Sequence, residues 1–318
     1  MDDSRKYVGI TGASGFVGRA LVHGLMEKNQ SVLSFTRHHN EESAVAEYFL
    51  DLNDSSFDVS NPLTRVHTLV HCAARAHVMN EDEVDPLDAY LTSNTYPTLR
   101  LAEQAAHSGV KRFIYISSIK ALGESTTRRE ALKHDSPLQP EDAYGVSKAN
   151  AEIGLREIAE RTGVEVVIIR PPLVYGPGVK ANFASLMGLA NRNLPLPLGS
   201  LRNRRSFVAI NNLVDLIVTC IKMPEAANQT FMVSDDADVS TSELLSAMTR
   251  AYGKKPRLLP FPPSILSLGA RLLGKRAIAD RLLGSLQVDI EHTKNTLGWK
   301  PKVNLETVLK EMARDSVV

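Results

Sequence analysis

The sequence predicts an α/β fold: a doubly wound parallel sheet with helices on both faces, and a smaller C-terminal α/β region beside it. Three observations predict it. Short apolar runs alternate with amphipathic helical segments through the first half of the chain. A glycine-rich turn, residues 12–18, joins the first apolar run to the first helix. After Pro171 and Pro172 the alternation breaks and prolines and glycines cluster, at Pro177, Gly178, Pro195, Pro197 and Gly199.

In order, Tyr7–Thr11 reads as a strand, followed by the glycine turn and a helix to about Lys28. Strands are expected at 31–35, 68–72, 112–117 and 165–169, because these runs are short, apolar and rich in β-branched or aromatic residues. Residues 87–108 carry helical periodicity, and Ala143–Thr162 reads as a long helix stopped by Gly163. Residues 207–210 and 230–233 look like strands that return to the large sheet or its edge. A boundary near residue 175 divides a dinucleotide-binding domain, 1–175, from a substrate domain, 176–318, with some interleaving.

Composition narrows the function classes. With 37 basic and 36 acidic residues the net charge is +1, so nothing pulls the whole chain toward nucleic acid or a membrane. Cys72 and Cys220 lie far apart, which fits a reducing cytoplasm rather than a disulfide scaffold. The polar residues 1–6 run straight into a strand, so no signal peptide is expected. The most membrane-like stretch, 261–274, is too short to span a bilayer and is interrupted by Arg271. It reads as an amphipathic helix on the protein body, with attachment at a membrane surface as the less favoured alternative.

The strongest local signal is Gly12-Ala-Ser14-Gly15-Phe16-Val17-Gly18. Glycines here permit a tight turn and close approach of the backbone to a pyrophosphate, and the helix N-terminus offers N–H groups to the phosphates. The spacing is G-x-x-G-x-x-G, and a glycine turn without a ligand is the plainer alternative. An acid normally follows the second strand to bind a ribose 2′-hydroxyl. Thr36 and Arg37 stand there instead, so Arg37 is a candidate for a 2′-phosphate, with Arg19 assisting, and NADP(H) is favoured over NAD(H). Asp51, followed by Leu52, is a candidate for the adenine amino group; an ordinary turn aspartate is nearly as good a reading.

Tyr144 and Lys148 are spaced i, i+4 near the start of a helix and so share one face. An ammonium beside a phenol favours the phenolate, which suits a group that moves a proton at a sugar oxygen. Ser117 and Ser118 end the preceding strand, and Ser118 is the better candidate to orient the reacting oxygen. A serine–tyrosine–lysine set transfers protons while a cofactor takes the hydride.

Together with Ala73, Ala74, Asn94, Arg170-Pro171-Pro172-Leu173-Val174-Tyr175-Gly176-Pro177 and Leu297-Gly298-Trp299-Lys300-Pro301, these motifs resemble the extended short-chain dehydrogenase/reductases. More narrowly they resemble the nucleotide-sugar epimerases, dehydratases and 4-ketoreductases. The resemblance covers nearly the whole chain. It implies a Rossmann-type domain holding a pyridine dinucleotide at the strand carboxyl ends, and a C-terminal domain closing over the sugar nucleotide. It implies that Ser118 and Tyr144 contact the sugar C4 oxygen, that Ser117 and Lys148 touch the dinucleotide, and that Asn94 supports the backbone nearby. It implies that Pro171 and Val174 line the nicotinamide and that Asn182 and Arg205, or the adjacent Arg204, bind the nucleotide diphosphate. Arg75 and His77 follow the Ala–Ala turn and are candidates for the substrate pocket.

The reaction is less constrained. Dehydratases of this group place Asp–Glu directly after the catalytic hydroxyl, where this chain has Ile119 and Lys120, so dehydration is not expected. The epimerases of the group hold NAD through an aspartate at the place of Thr36. The sequence therefore favours a 4-ketoreductase acting on a UDP-4-keto-6-deoxy-HexNAc in surface (lipopolysaccharide) biosynthesis, to which residues 282–289 are also similar. A UDP-hexose 4-epimerase is the alternative, and a non-catalytic dinucleotide sensor is the alternative of another class.

His38, His39, His71, His77 and His134 match no zinc spacing, so no metal is expected. Trp299 reads as core packing. Leu101 and Ala105, with the 152–158 face, are candidates for a helical homodimer interface or for intramolecular core.

Overall fold

The computed structural model describes residues 6–37, 44–75, 85–127, 129–272, 274 and 276–315. Seven strands form one parallel sheet: β1 (Tyr7–Thr11), β2 (Ser31–Thr36), β3 (Ala46–Phe49), β4 (Val66–His71), β5 (Arg112–Ile116), β6 (Glu165–Arg170) and β9 (Thr230–Met232). Their order is β3-β2-β1-β4-β5-β6-β9, so the chain winds outward from β1 in both directions. Two further strands, β7 (Leu173–Tyr175) and β8 (Phe207–Ala209), pair in parallel as a separate small sheet.

The expected strands form, with three differences, one of them the additional short strand β7. Residues 207–210 do not join the large sheet: they pair with Leu173–Tyr175, and only 230–232 return to its edge beside β6. The edge strand β3 has no counterpart in the sequence reading. It is four residues long, mostly exposed, and lacks the apolar alternation that marks an inner strand.

The apolar runs are explained by burial on both sheet faces. One core packs β1, β4, β5 and β6 against the Phe16–Met26 and Ile210–Lys222 helices, through Ile10, Leu21, Val70, Ile114, Leu213 and Ile217. The other lies beneath the Tyr96–His107 and Ala143–Thr162 helices, through Leu69, Leu101, Ala105, Phe113, Leu155 and Ile158. Each such Leu, Ile, Val or Phe side chain contributes about 1.5–3 kcal/mol by leaving water. Leu101, Ala105, Leu155 and Ile158 are therefore intramolecular core, which corrects their candidacy for a dimer face. Trp299 is buried as expected, and its Nε1 donates to Asp215 Oδ2 at 3.0 Å.

A third core joins the small sheet to the C-terminal helices, through Tyr175, Phe183, Phe207, Leu244 and Val308. Asp235 ties it to the large sheet: it accepts from Tyr175 Oη at 2.6 Å, Ala209 N at 2.8 Å and Asn212 Nδ2 at 2.7 Å.

Candidate active site

The carboxyl ends of β1, β4 and β5 come together at one edge of the sheet, and the candidate residues leave from those ends. Gly12 follows β1 with φ +69°, a left-handed conformation that glycine adopts freely. A Cβ on Gly12 would lie 2.6 Å from Ala73 N, so the turn after β1 lies directly against the Ala73–Ala74 turn after β4. A Cβ on Gly18 would lie 2.1 Å from Gly12 O, which explains the third glycine as backbone packing within the turn. Ser14 and Gly15 are exposed, Phe16 and Val17 pack partly on the core, and the following helix has no side-chain cap at Gly15. This exposed, uncapped helix start beside a tight glycine turn fits a pyrophosphate.

His71, at the end of β4, joins these turns to the helices. Thr98 Oγ1 donates to Asn94 O at 2.5 Å, so it accepts from His71 Nε2 at 2.8 Å, and His71 Nδ1 accepts from Thr11 Oγ1 at 2.6 Å. Burial, helped by the Lys148 ammonium, pushes the imidazole down to about 3, so it stays neutral. Its place at the end of an apolar strand marks it as a structural histidine. Among the described residues no group of three or more His, Cys, Asp and Glu side chains could hold a metal ion.

Asn94 sits in a π-helical turn, Leu91–Thr95, between two α-helical segments. Its Oδ1 accepts from Arg75 N at 2.7 Å, and its Nδ2 donates to Arg75 O at 3.1 Å and to Ser147 Oγ at 3.0 Å. It thereby pins the turn after β4 to the helix that carries Tyr144 and Lys148. The Arg75 guanidinium lies over the Tyr90 ring, 5.6 Å from its centroid, and Tyr90 meets Tyr144 edge-on at 6.0 Å.

Asp142 caps the Ala143–Thr162 helix, accepting from Gly145 N at 2.7 Å. Tyr144 and Lys148 then fall one turn apart, and the Ser118 hydroxyl is near enough to the Tyr144 phenol to favour its charged form. The expected acidification of the phenol is not what the structure has. Burial pushes Tyr144 up, the Asp142 carboxylate pushes it further, and the Ser118 hydroxyl only partly offsets this. Lys148 is buried instead against β5: its Nζ donates to Ile116 O at 2.9 Å and lies 4.6 Å from the Tyr115 ring centroid, against 5.8 Å for Tyr144. Burial pulls its ammonium down to about 8.

Ser117 differs from its expected role. It is buried, and its hydroxyl donates to Glu152 Oε1 at 2.5 Å rather than facing the cleft. Glu152 is the residue the sequence reading missed: it lies one turn beyond Lys148 and pairs with Arg170 at 2.6 Å. The i, i+8 spacing from Tyr144 was visible; the strand partner was not.

Other candidates are spread around this centre. Arg37 is exposed at the end of β2, and Leu52 packs on the second core. Asp51 Oδ1 accepts from Asn53 N at 3.0 Å and Asn53 Nδ2 at 3.2 Å, the geometry of a turn aspartate. Pro171 is buried, its carbonyl accepting from Ile119 N, and Val174 lies half-buried in β7. Arg205 donates from Nη1 to Gly284 O at 3.1 Å, whereas Arg204 donates to Asp238 O and lies 3.8 Å from Glu243. Asn182 belongs to the Ala181–Arg192 helix, but its side chain, like the whole of His77, lies outside the described residues.

Residues 8–234 match the NAD dependent epimerase/dehydratase family. The chain belongs to that family. Within the NAD-dependent epimerase/dehydratase family, it is 50% identical over 312 residues to a UDP-glucose 4-epimerase of Vibrio cholerae, covering 97% of this chain and 95% of the other. It is 22% identical over 332 residues to a dTDP-4-dehydro-6-deoxyglucose reductase of Escherichia coli, covering 99% and 98%. A UDP-glucuronic acid 4-epimerase from Bacillus cereus, solved in complex with NAD, shares the fold with TM-score 0.76 at 20% identity over 97% and 96% of the chains. The sequence resemblance and the α/β class both hold, and the protein is an enzyme of the nucleotide-sugar epimerase/dehydratase group.

Proposed function

We propose that this chain is a UDP-hexose 4-epimerase, working through a nicotinamide dinucleotide laid across the carboxyl ends of β1, β4 and β5. The observation that carries the reading is the composition of the proton-handling site. Ser118, Tyr144 and Lys148 stand together, while Ile119 is buried and Lys120 is bound between Glu124 and Asp142. Neither of the two positions from which dehydratases eliminate water carries a carboxylate: they hold Ile119 and Lys120. The 50% identical relative adds weight to the 4-epimerase over the ketoreductase that the sequence favoured.

The glycine turn and helix start would hold the pyrophosphate, Ala73 and Ala74 would border it, and Pro171 and Val174 would face the nicotinamide. A nicotinamide bound there would supply hydride exchange at sugar C4. Ser118 orients the C4 oxygen, and Tyr144 takes and returns its proton. Lys148 stands one turn behind, its ammonium 5.8 Å from the Tyr144 ring centroid and anchored to the end of β5. Residues 1–175 with β9 form the dinucleotide domain, and the remainder of 176–318, with Asn182 and Arg205, forms the uridine diphosphate side.

A 4-ketoreductase is the second reading, favoured by Thr36 and Arg37 at the end of β2 and by a Tyr144 phenol that stays protonated, ready to donate. It carries with it NADP(H) and a place in surface-polysaccharide synthesis in the cytoplasm. A homodimer would use the exposed Tyr96 and Ile153 rather than the buried Leu101 and Ala105.

The test is to incubate the purified chain with UDP-glucose or UDP-N-acetylglucosamine without reductant, and separately with NADPH and a UDP-4-keto-6-deoxy sugar. The 4-epimerase reading expects an isomerised sugar with no net nicotinamide consumed. Stoichiometric NADPH oxidation with no isomerisation would replace it with the ketoreductase.

A further inference from the structure

Leu259, Ile265, Leu268 and Leu272 are 54%, 52%, 58% and 80% exposed, and Leu272 has the highest value among the exposed large apolar residues of the described chain. The last three lie on the Pro263–Leu272 helix at spacings of three and four, so they form one stripe. The helix thus turns an apolar face outward, the reverse of what a helix packed on a core does. Exposed apolar patches of this kind mark interaction surfaces.

The surrounding charge is equally uneven. Residues 254–283 contain seven Lys and Arg (254, 255, 257, 271, 275, 276 and 281) against one acid, Asp280. Seven minus one gives +6 in a chain whose total is +1, so the rest carries −5. Lys254, Lys255, Arg257 and Arg271 are exposed, and Arg271 lies next to Leu268 and Leu272 on the helix surface.

We infer that this segment docks the enzyme onto an anionic phospholipid surface, with the Ile265–Leu268–Leu272 stripe in the headgroup boundary and the exposed Lys254, Lys255, Arg257 and Arg271 toward lipid phosphates. An apolar stripe flanked by Lys and Arg on a helix too short to span is the arrangement that binds in the plane of a bilayer. Basic residues beside such a helix are each drawn to an anionic leaflet. A second copy of this chain fits worse, because self-pairing brings two +6 segments together. A polar sugar nucleotide could meet the basic residues but leaves the leucine stripe in water. The inference departs from the absence of a membrane partner that the near-neutral composition suggested; the excess is local, and the sum hides it. It does not rest on which sugar reaction the enzyme performs.

The test is flotation of the full chain with vesicles of phosphatidylcholine containing phosphatidylglycerol, and with vesicles of phosphatidylcholine alone. Wild type should float with the anionic vesicles and release as salt is raised. A Leu268→Glu/Leu272→Glu double variant should lose binding by ~tenfold or more. Arg271→Glu should weaken it by ~fivefold or more. An unchanged thermal midpoint verifies that the variants are folded. No flotation, equal binding to both vesicle types, or binding indifferent to the leucine changes would overturn the proposal. Sedimentation velocity adds one more arm: a wild-type dimer that the double variant abolishes, with no vesicle binding, would assign the stripe to a second copy instead.

Discussion

Arg170 and Glu152 form a bidentate pair, 2.6 Å at its closest, with the guanidinium side chain 3% and the carboxylate 0% exposed. The pair joins the last residue of β6 to the helix that carries Tyr144 and Lys148. Glu152 also accepts the Ser117 hydroxyl, next to Ser118, and Arg170 Nη1 donates to His134 O at 2.9 Å. Every strong donor in the group thus has a partner, which is the condition under which a buried ion pair is tolerated.

Breaking it from one side should be costly. Glu152→Gln leaves the Arg170 guanidinium buried without its counter-charge, and the expected loss of stability is about 3–5 kcal/mol. Urea unfolding checks this, and a loss under about 1 kcal/mol would show the pair to be dispensable. In the fraction that folds, kcat should fall more than KM rises, because the Ser117–Ser118 turn loses its anchor.

Asn94 joins the turn after β4 to the helix that carries Tyr144 and Lys148 through three side-chain hydrogen bonds. Asn94→Ala removes them and leaves Arg75 N and Ser147 Oγ to find other partners, at about 1–3 kcal/mol per buried group left unsatisfied. The expected result is a weakened fold and reduced affinity for dinucleotide, read by thermal shift and by fluorescence titration with NADH. Unchanged titration would remove Asn94 from the cofactor account.

His71 makes the fold acid-sensitive. Its folded pKa of about 3 lies below the ordinary 6.5. Between those values the unfolded chain binds a proton that the folded chain refuses, so stability falls as pH falls through that window. His67 and His292 are pushed in the same direction. The contribution of His71 is therefore the difference between wild type and His71→Asn, which should lose stability less steeply from pH 6.5 downward. Parallel slopes would mean that His71 is already charged in the fold.

Much of the fold was legible because its signals are local. The alternating runs, the glycine turn and the Tyr144–Lys148 spacing each sit inside a few turns of chain, where periodicity reports burial. Gly12 and Gly18 could be read from their order, and the structure supplies the reason: close contacts with Ala73 and with Gly12 O. What stayed hidden depends on partners far away in sequence. Glu152 meets Arg170 across 18 residues and Ser117 across 35, and nothing local distinguishes it from a solvated helix glutamate. The same limit misdirected the reading of Lys148, whose ammonium turned out to be held by the Ile116 carbonyl and the Tyr115 ring. The Pro263–Leu272 helix was legible within 261–274 as amphipathic, but its period could not say which face meets solvent.

Whether the Tyr144 hydroxyl moves the proton at sugar C4 is decided by Tyr144→Phe. Removing the hydroxyl keeps the ring against Tyr90 and should lower turnover ~10²–10⁴-fold, while dinucleotide binding, followed by nicotinamide fluorescence, stays within about twofold of wild type. A variant that turns over UDP-sugar at the wild-type rate with its dinucleotide bound would contradict the account.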